Sequence, residues 1–278
     1  MPELPEVETI ARDLKAANLV GRRIEAAHVR WARTIATPDP AAFVARVRGA
    51  RINDVGRRAK YLVLPLDTGD TLLIHLRMTG RLALPPSHTP PDPHEHVLLT
   101  LDDGRDLRFH DTRKFGRWYL VDDPSQVLGN LGPEPLGEAF TPEWLYTALQ
   151  AHRRQLKPLL LDQRFIAGLG NIYVDEALWH AQLHPQRPSH TLSRAESDAL
   201  HAAIRTVLMR GIANMGTTLG TGEANFYSVG RRRGRNQDAL AVFRRTGEPC
   251  PRCGTPIVRL VVAQRGTHIC PSCQRLPA

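Results

Sequence analysis

Two groups of residues, one at each end of the chain, have the types and spacing that chemistry needs. The chain opens Met1-Pro2-Glu3-Leu4-Pro5-Glu6, which sets a carboxylate directly after a proline. A small residue in second place normally lets the initiator methionine be removed. Pro2 would then carry a secondary amine. An α-amine titrates near roughly 8, against about 10.4 for lysine, so far more of it is unprotonated at neutral pH. Such an amine attacks a carbonyl or sugar carbon and forms a Schiff base. The competing reading is conformational, because prolines suit the first turn of a helix.

At the other end, all four cysteines fall in Cys250-Pro-Arg-Cys253 and Cys270-Pro-Ser-Cys273, with sixteen residues between the pairs. This spacing reads as a tetrahedral Zn²⁺ site of four thiolates. Disulfides are disfavoured in a cytosolic chain. Four protein ligands leave no open coordination position, so the one zinc is expected to be structural. Residues 256–269 then supply two short strands and a turn, a zinc-pinned hairpin with Arg265 near its tip.

The charge agrees with a polyanionic partner. The chain has 278 residues, is 42% hydrophobic and 23% charged, and carries a net +9. From Arg231 onward there are ten arginines against two acids, so that stretch holds +8 of the total. Basic charge gathered in one segment favours nucleic acid. With 33 arginines and four lysines, a general preference for arginine is the competing explanation. No run approaches the roughly 18 apolar residues of a membrane span. Early charges argue against a secretory signal. A cytoplasmic protein with no membrane partner is expected.

Four further motifs have two readings each. Gly168-Leu169-Gly170-Asn171 before a helix offers backbone amides to a phosphate, with Arg153, Arg154 and Lys157 upstream, or is an ordinary turn and cap. His110-Asp111-Thr112-Arg113-Lys114-Phe115-Gly116 sets cations beside an aromatic, as in wedges that unstack a duplex step, or packs Phe115 in a core. Met78 is by default a core side chain. Lys60, in Arg57-Arg58-Ala59-Lys60-Tyr61, reaches a phosphate, acts as an acid, or is a surface cation. His94-Glu95-His96 is half a metal site without a partner cluster, and is preferred as a solvated or phosphate-contacting pair.

These motifs need a scaffold. Val7, Ile10 and Leu14 repeat at helical spacing over residues 5–17, and Gly21 follows as a stop. Strand patterns cover 24–31, 61–66, 71–78, 97–101, 106–110 and 117–121, which predicts an antiparallel sandwich or barrel. Residues 85–93 form a proline-rich loop and 129–137 a linker. Helices start at Thr141-Pro142-Glu143, over 171–181, and at the Ser193-Arg194-Ala195-Glu196 capping box. Residues 216–234 are glycine-rich and read as a mobile loop. Strands, then helices, then a metal hairpin argue for separate domains.

Over its full length the chain resembles the formamidopyrimidine-DNA glycosylase family. The shared motifs are the Pro-Glu-Leu-Pro-Glu start, Arg57 to Tyr61, His75-Leu76-Arg77-Met78-Thr79-Gly80, Arg113 to Gly116, Gly168 to Tyr173 and the paired cysteines. The resemblance implies an α+β multidomain fold. Residues 1–130 would form an N-terminal β-sandwich catalytic domain with a leading helix. Residues 131–240 would form a helix-two-turn-helix domain with a lesion-recognition loop, and 241–278 a zinc finger.

The implied activity is that of a monomeric, nucleoid-associated glycosylase and abasic-site lyase. It would excise 8-oxoguanine and formamidopyrimidines from double-stranded DNA in base excision repair, by β,δ-elimination. Pro2 would attack C1′ and Glu3 would assist ring opening. Lys60 would assist the first elimination and Arg265 the second. Met78, Arg113 and Phe115 would fill the gap left by the everted base. Lys60, His75, His94, Arg113, Arg153, Asn171 and Arg265 would contact DNA. Cys250, Cys253, Cys270 and Cys273 would hold the zinc. The chain departs from the family at Thr112 and Lys114, where proline and arginine are usual, and more strongly across 220–241. The endonuclease VIII family, directed at oxidised pyrimidines, is the alternative within the class, but typically begins Pro-Glu-Gly-Pro-Glu. A non-catalytic zinc-finger DNA-binding protein is the alternative outside it.

Overall fold

A computed structural model describes residues 1–220, 222 and 225–276. The chain divides into two units, Met1–Asn130 with Ile212–Gln237, and Leu131–Gly211 with Asp238–Ala278.

The first unit begins with α1 (Leu4–Ala16). Val7, Ile10 and Leu14 are buried on one face, as the spacing predicts. The helix ends before Gly21. Asn18 takes the left-handed conformation (φ 57°), and the Leu19 N–H returns to the Leu14 carbonyl at 3.1 Å. Asparagine tolerates that region, so it replaces the expected glycine stop.

Nine strands follow: β1 (Ile24–Val29), β2 (Ile35–Thr37), β3 (Gly56–Arg58), β4 (Tyr61–Pro65), β5 (Thr71–His75), β6 (Arg81–Ala83), β7 (Glu95–Leu101), β8 (Asp106–His110) and β9 (Arg117–Val121). Two helices accompany them, α2 (Pro40–Val47) and α3 (Ser125–Leu128). One sheet has the order β1-β7-β8-β6 and the other β2-β9-β5-β4-β3. Every pairing in these two sheets is antiparallel except β2 with β9. Inward residues of both sheets, among them Leu62, Ile74, Leu99, Phe109 and Trp118, share one core with α1 and α2. The fold is therefore a sandwich. The segment expected as one strand over 71–78 stops at His75, because Arg77 has φ 54° and turns the chain. That turn brings Met78 out of the sheet.

The second unit holds α4 (Pro142–Gln150), α5 (Leu156–Leu160), α6 (Asn171–His180) and most of α7 (Arg194–Ala213), then the hairpin β10 (Val258–Val262) and β11 (Arg265–Ile269). Ser193 and Glu196 form the capping box of α7: the Ser193 N–H donates to Glu196 Oε2 at 2.8 Å, and the Glu196 N–H to Ser193 Oγ at 3.3 Å. Residues 172–179 of α6 are all buried, two acids included. One of them, Glu176, accepts the backbone N–H groups of Ala241, Val242 and Phe243 at 2.8–3.0 Å. Three amides on one carboxylate fix the stretch that leads to the cysteines. Trp179 of α6 packs with Val242, Cys250, Ile257 and Cys270 in a small second core. Among the described residues no helix is long and apolar enough to cross a membrane.

Candidate active site

In the first unit, the N-terminal residues are inside the fold. Pro2 is buried, and Glu3 and Glu6 expose 3% and 1% of their surface. Glu3 caps α1, and its N–H donates to Glu6 Oε2 at 2.9 Å. Oε1 of the same carboxylate accepts the Thr217 N–H at 2.7 Å. With Met1 attached, the Pro2 nitrogen is a tertiary amide. Removal of Met1 is what would make it an amine.

Helix α1 packs against β3 and β4, and Glu8 pairs with Arg57 at 3.1 Å. Lys60 lies in the turn between those strands, next to Ala59 at φ 52°. It is 5% exposed, so the surface-cation reading fails. His75 faces Tyr61 in register, with the rings 4.6 Å apart. Burial, with the cations of Arg77 and Lys60 beside it, pushes the His75 imidazole down to about 3. It is neutral at physiological pH, and its Nδ1 accepts the Arg77 N–H at 3.0 Å.

A second cluster is organised by Asp111, a residue that sequence reasoning passed over. Its carboxylate is fully buried. Oδ2 accepts the Gly116 N–H at 2.7 Å, Oδ1 accepts the Arg113 N–H at 3.2 Å, and Thr79 Oγ1 donates to Oδ1. The Asp111 N–H donates to the His94 carbonyl at 2.9 Å. One aspartate thus ties the 111–116 turn to the turn carrying Met78 and to His94. Gly80 and Gly116 clasp Phe109, where added Cβ atoms would lie 2.8 Å and 2.2 Å from its ring. The turns are rigid, yet their tips are open: Met78 is 39% and Phe115 47% exposed, and Arg113 lies 4.8 Å over the Phe115 ring. An exposed methionine and phenylalanine on stiff turns are not core side chains. His94 is exposed, but His96 is buried, with Nε2 2.8 Å from the Asp111 carbonyl. The pair is therefore not solvated as a unit.

The glycine-rich stretch 216–234 is partly outside the described residues, at 221, 223 and 224. The rest is tied down. Thr218 Oγ1 donates to the Phe226 carbonyl at 2.7 Å and accepts the Gly234 N–H at 2.9 Å. Arg232 pairs with Asp13 of α1, and Phe226 and Val229 pack on the sandwich core.

In the second unit, the four cysteine sulfurs lie within 4.8 Å of one another, with separations of 3.4, 3.5 and 3.9 Å among them. Zinc–sulfur bonds of about 2.3 Å in a tetrahedron need sulfurs roughly 3.8 Å apart, so the set fits Zn²⁺. Cys250 and Cys270 are buried, and Trp179 Nε1 donates to Cys250 Sγ at 3.4 Å. All four ligands come from protein, so the ion's contribution here is to hold the hairpin. Ala263 and Gln264, at φ 46° and 62°, join β10 to β11 in a two-residue turn, and Arg265 leads out of it, exposed.

Arg153 is exposed, and Asn171 is the first residue of α6. Asn171 Nδ2 donates to the Gly266 carbonyl at 2.9 Å. Lys157, read from sequence as support for a phosphate, is instead fully buried and paired with Asp175 at 2.6 Å. Residue type alone does not reveal that an α5 lysine faces inward.

A sandwich led by a helix that begins just after Pro2 and Glu3, a helical unit and a four-cysteine hairpin define a multidomain zinc-finger class of protein. Residues 1–118 match the family model "Formamidopyrimidine-DNA glycosylase N-terminal domain", 131–222 the "Formamidopyrimidine-DNA glycosylase H2TH domain", and 247–276 the "Zinc finger found in FPG and IleRS". Formamidopyrimidine-DNA glycosylase of Protochlamydia amoebophila is 49% identical over 99% of this chain and all of its own. That of Roseiflexus sp. is 49% identical with the same coverage. The crystal structure of MutM (Fpg) protein from Thermus thermophilus aligns with a TM-score of 0.89 at 41% identity, covering all of both chains. A complex of Lactococcus lactis Fpg with abasic-site DNA aligns with a TM-score of 0.90 at 36% identity, covering 99% of this chain and 100% of that one. The chain belongs to the formamidopyrimidine-DNA glycosylase family, and its four cysteines hold one structural zinc.

Proposed function

We propose that this chain is a DNA glycosylase and abasic-site lyase that excises oxidised purines, 8-oxoguanine and formamidopyrimidines, from double-stranded DNA in base excision repair. The observation that carries the reading is the burial of Pro2 and Glu3 at the rigid start of α1, packed on the hairpin that presents Lys60. Burial disfavours the charged form of an amine, and the neighbouring Glu3 carboxylate is placed to exchange protons with it. Named relatives support the substrate class, including the structure of MutM in complex with carbocyclic 8-oxo-G containing DNA.

With Met1 removed, the Pro2 nitrogen attacks C1′. The bond from C1′ to the damaged base breaks, and the base leaves with the bonding pair and gains a proton. Glu3 is the acid that protonates the ring oxygen as the sugar opens and the iminium forms. Loss of a C2′ proton then expels the 3′ phosphate, a step we assign to Lys60. Loss of a C4′ proton expels the 5′ phosphate, a step we assign to Arg265. Water hydrolyses the imine and frees the amine. The target must leave the stack for C1′ to be reached, and Met78, Arg113 and Phe115 fill the void. His75, neutral, donates a hydrogen bond without adding charge. Together with His94, Arg153, Asn171, Lys60, Arg113 and Arg265 it contacts the DNA. Zinc keeps the Arg265 hairpin folded. We place the enzyme in the cytoplasm, associated with the nucleoid and acting as a monomer.

Borohydride trapping on an 8-oxoguanine·C duplex tests this, with peptide mapping of the adduct and a thymine-glycol duplex as competitor. The expected result is an adduct at Pro2, outcompeted weakly by thymine glycol. A processed chain that yields neither adduct nor strand cleavage overturns the reading.

A further inference from the structure

The tip of the zinc hairpin is held by more than zinc. Lys157 of α5 and Asp175 of α6 are both fully buried, with Nζ 2.6 Å from Asp175 Oδ1. Nζ also donates to the Gly266 carbonyl at 3.1 Å, the oxygen to which Asn171 Nδ2 donates at 2.9 Å. Asp175 Oδ2 accepts the His268 N–H at 2.9 Å and lies 3.2 Å from His268 Nδ1. So the pair grips β11 on both sides of Thr267, one carbonyl and one N–H. None of these contacts involves a cysteine.

Energetics argue that this arrangement does something other than stabilise. A buried ion pair gains little over apolar residues of the same volume, because desolvation offsets the attraction. The hairpin also needs external support. Ala263 and Gln264 both adopt left-handed backbone, which is disfavoured for residues with a Cβ. Strained turns persist where their surroundings over-determine them.

We propose that Lys157 and Asp175 are positioning residues for Arg265: the pair fixes Gly266 and His268, and thereby the direction in which the adjacent arginine leaves the hairpin. This rests on the role assigned to Arg265 above. The four cysteines set whether the hairpin folds, and the ion pair sets where its tip points.

The test is the double variant K157M/D175N. It removes both charges together and so avoids an unpaired buried ion, while the carboxamide oxygen introduced at position 175 still accepts the His268 N–H. On an abasic duplex, the expected result is full zinc content and Pro2 trapping within about twofold of wild type. The second elimination should slow about ten- to hundredfold, the scale of an ångström-sized misplacement, so β-product accumulates. Hydrogen exchange of the tip peptide should rise. K157M alone, leaving Asp175 charged, should show the same product shift with a lower unfolding midpoint. Wild-type product ratio and wild-type tip exchange in the zinc-loaded double variant overturn the proposal. R265Q run in parallel separates the two ideas. If it leaves the second elimination intact, the role given to Arg265 fails, and tip exchange alone decides whether the pair holds the hairpin.

Discussion

Glu6 and Thr217 are 211 positions apart, and the Thr217 N–H donates to the Glu6 carboxylate at 2.7 Å. The other oxygen of that carboxylate takes the Glu3 N–H at 2.9 Å. One acid therefore couples the terminus proposed to be catalytic to the beginning of the loop expected to read the lesion. Glu6→Gln has one oxygen for two amides and leaves one facing an NH₂ group. We expect a loss of about 1–3 kcal/mol, the penalty for an unsatisfied buried donor, measured by urea denaturation. Trapping should slow in the same variant.

Phe115 and Gly116 are neighbours that should behave oppositely. Phe115→Ala removes an exposed ring and should change stability by no more than about 0.5 kcal/mol. Its affinity for lesion duplex should fall roughly tenfold or more, because unstacking a step costs a few kcal/mol. Gly116→Ala drives a methyl into Phe109 and should lower stability by about 1–3 kcal/mol. Thermal melts and fluorescence anisotropy separate the two.

The Pro2 amine exists only after Met1 is removed. In a preparation of mixed termini, the trapped fraction should equal the fraction that mass spectrometry shows to begin at Pro2. A trapped chain that retains Met1 would exclude Pro2 as nucleophile. Pro2→Gly keeps an amine, now primary, and should trap more weakly.

Acid should unfold the first unit through His75. Its imidazole is held down to about 3 by burial and by Arg77 and Lys60, while in the unfolded chain it titrates near roughly 6.5. The unfolded state then binds the extra proton. Stability is complete above about pH 6.5, falls by up to roughly 1.4 kcal/mol per unit as pH drops towards 3, and levels off below. His180, pushed down to about 4 by burial and by Arg210 and Arg252, acts in the same direction in the second unit. His75→Asn keeps an acceptor for the Arg77 N–H and should flatten the decline. Urea midpoints compared between neutral and acid buffers test this.

Zinc content should be one per chain. Cys270→Ser removes a buried ligand, should release the metal and should weaken abasic-duplex binding by at least about tenfold, because metal binding and hairpin folding are one event. Trapping should recover at saturating DNA, since Pro2 is untouched. Metal analysis with a binding titration decides it.

What the sequence made legible was what it encodes locally. Four cysteines in two tight pairs, a proline before a glutamate, and alternating strands need no knowledge of distant contacts. Asp111, Glu6 and the Lys157–Asp175 pair stayed hidden because their partners are backbone groups or side chains far along the chain. A solitary acid in a turn looks solvated until the amides it accepts are placed. Lys157 misled for the same reason, since a lysine near arginines reads as surface. The long strand over 71–78 broke at Arg77, where tertiary demand for the Met78 turn overrode an apolar pattern.

The hairpin's anchors have a practical consequence for modular design. The metal ligands all lie between Cys250 and Cys273, so the finger looks portable. Its Gly266 carbonyl and His268 N–H, however, are matched by Lys157, Asn171 and Asp175, far upstream in the chain. Transplanted to another scaffold, the finger would carry its zinc but leave those groups unmatched. To move the grip on DNA, the donor site must export α5 and α6 along with it.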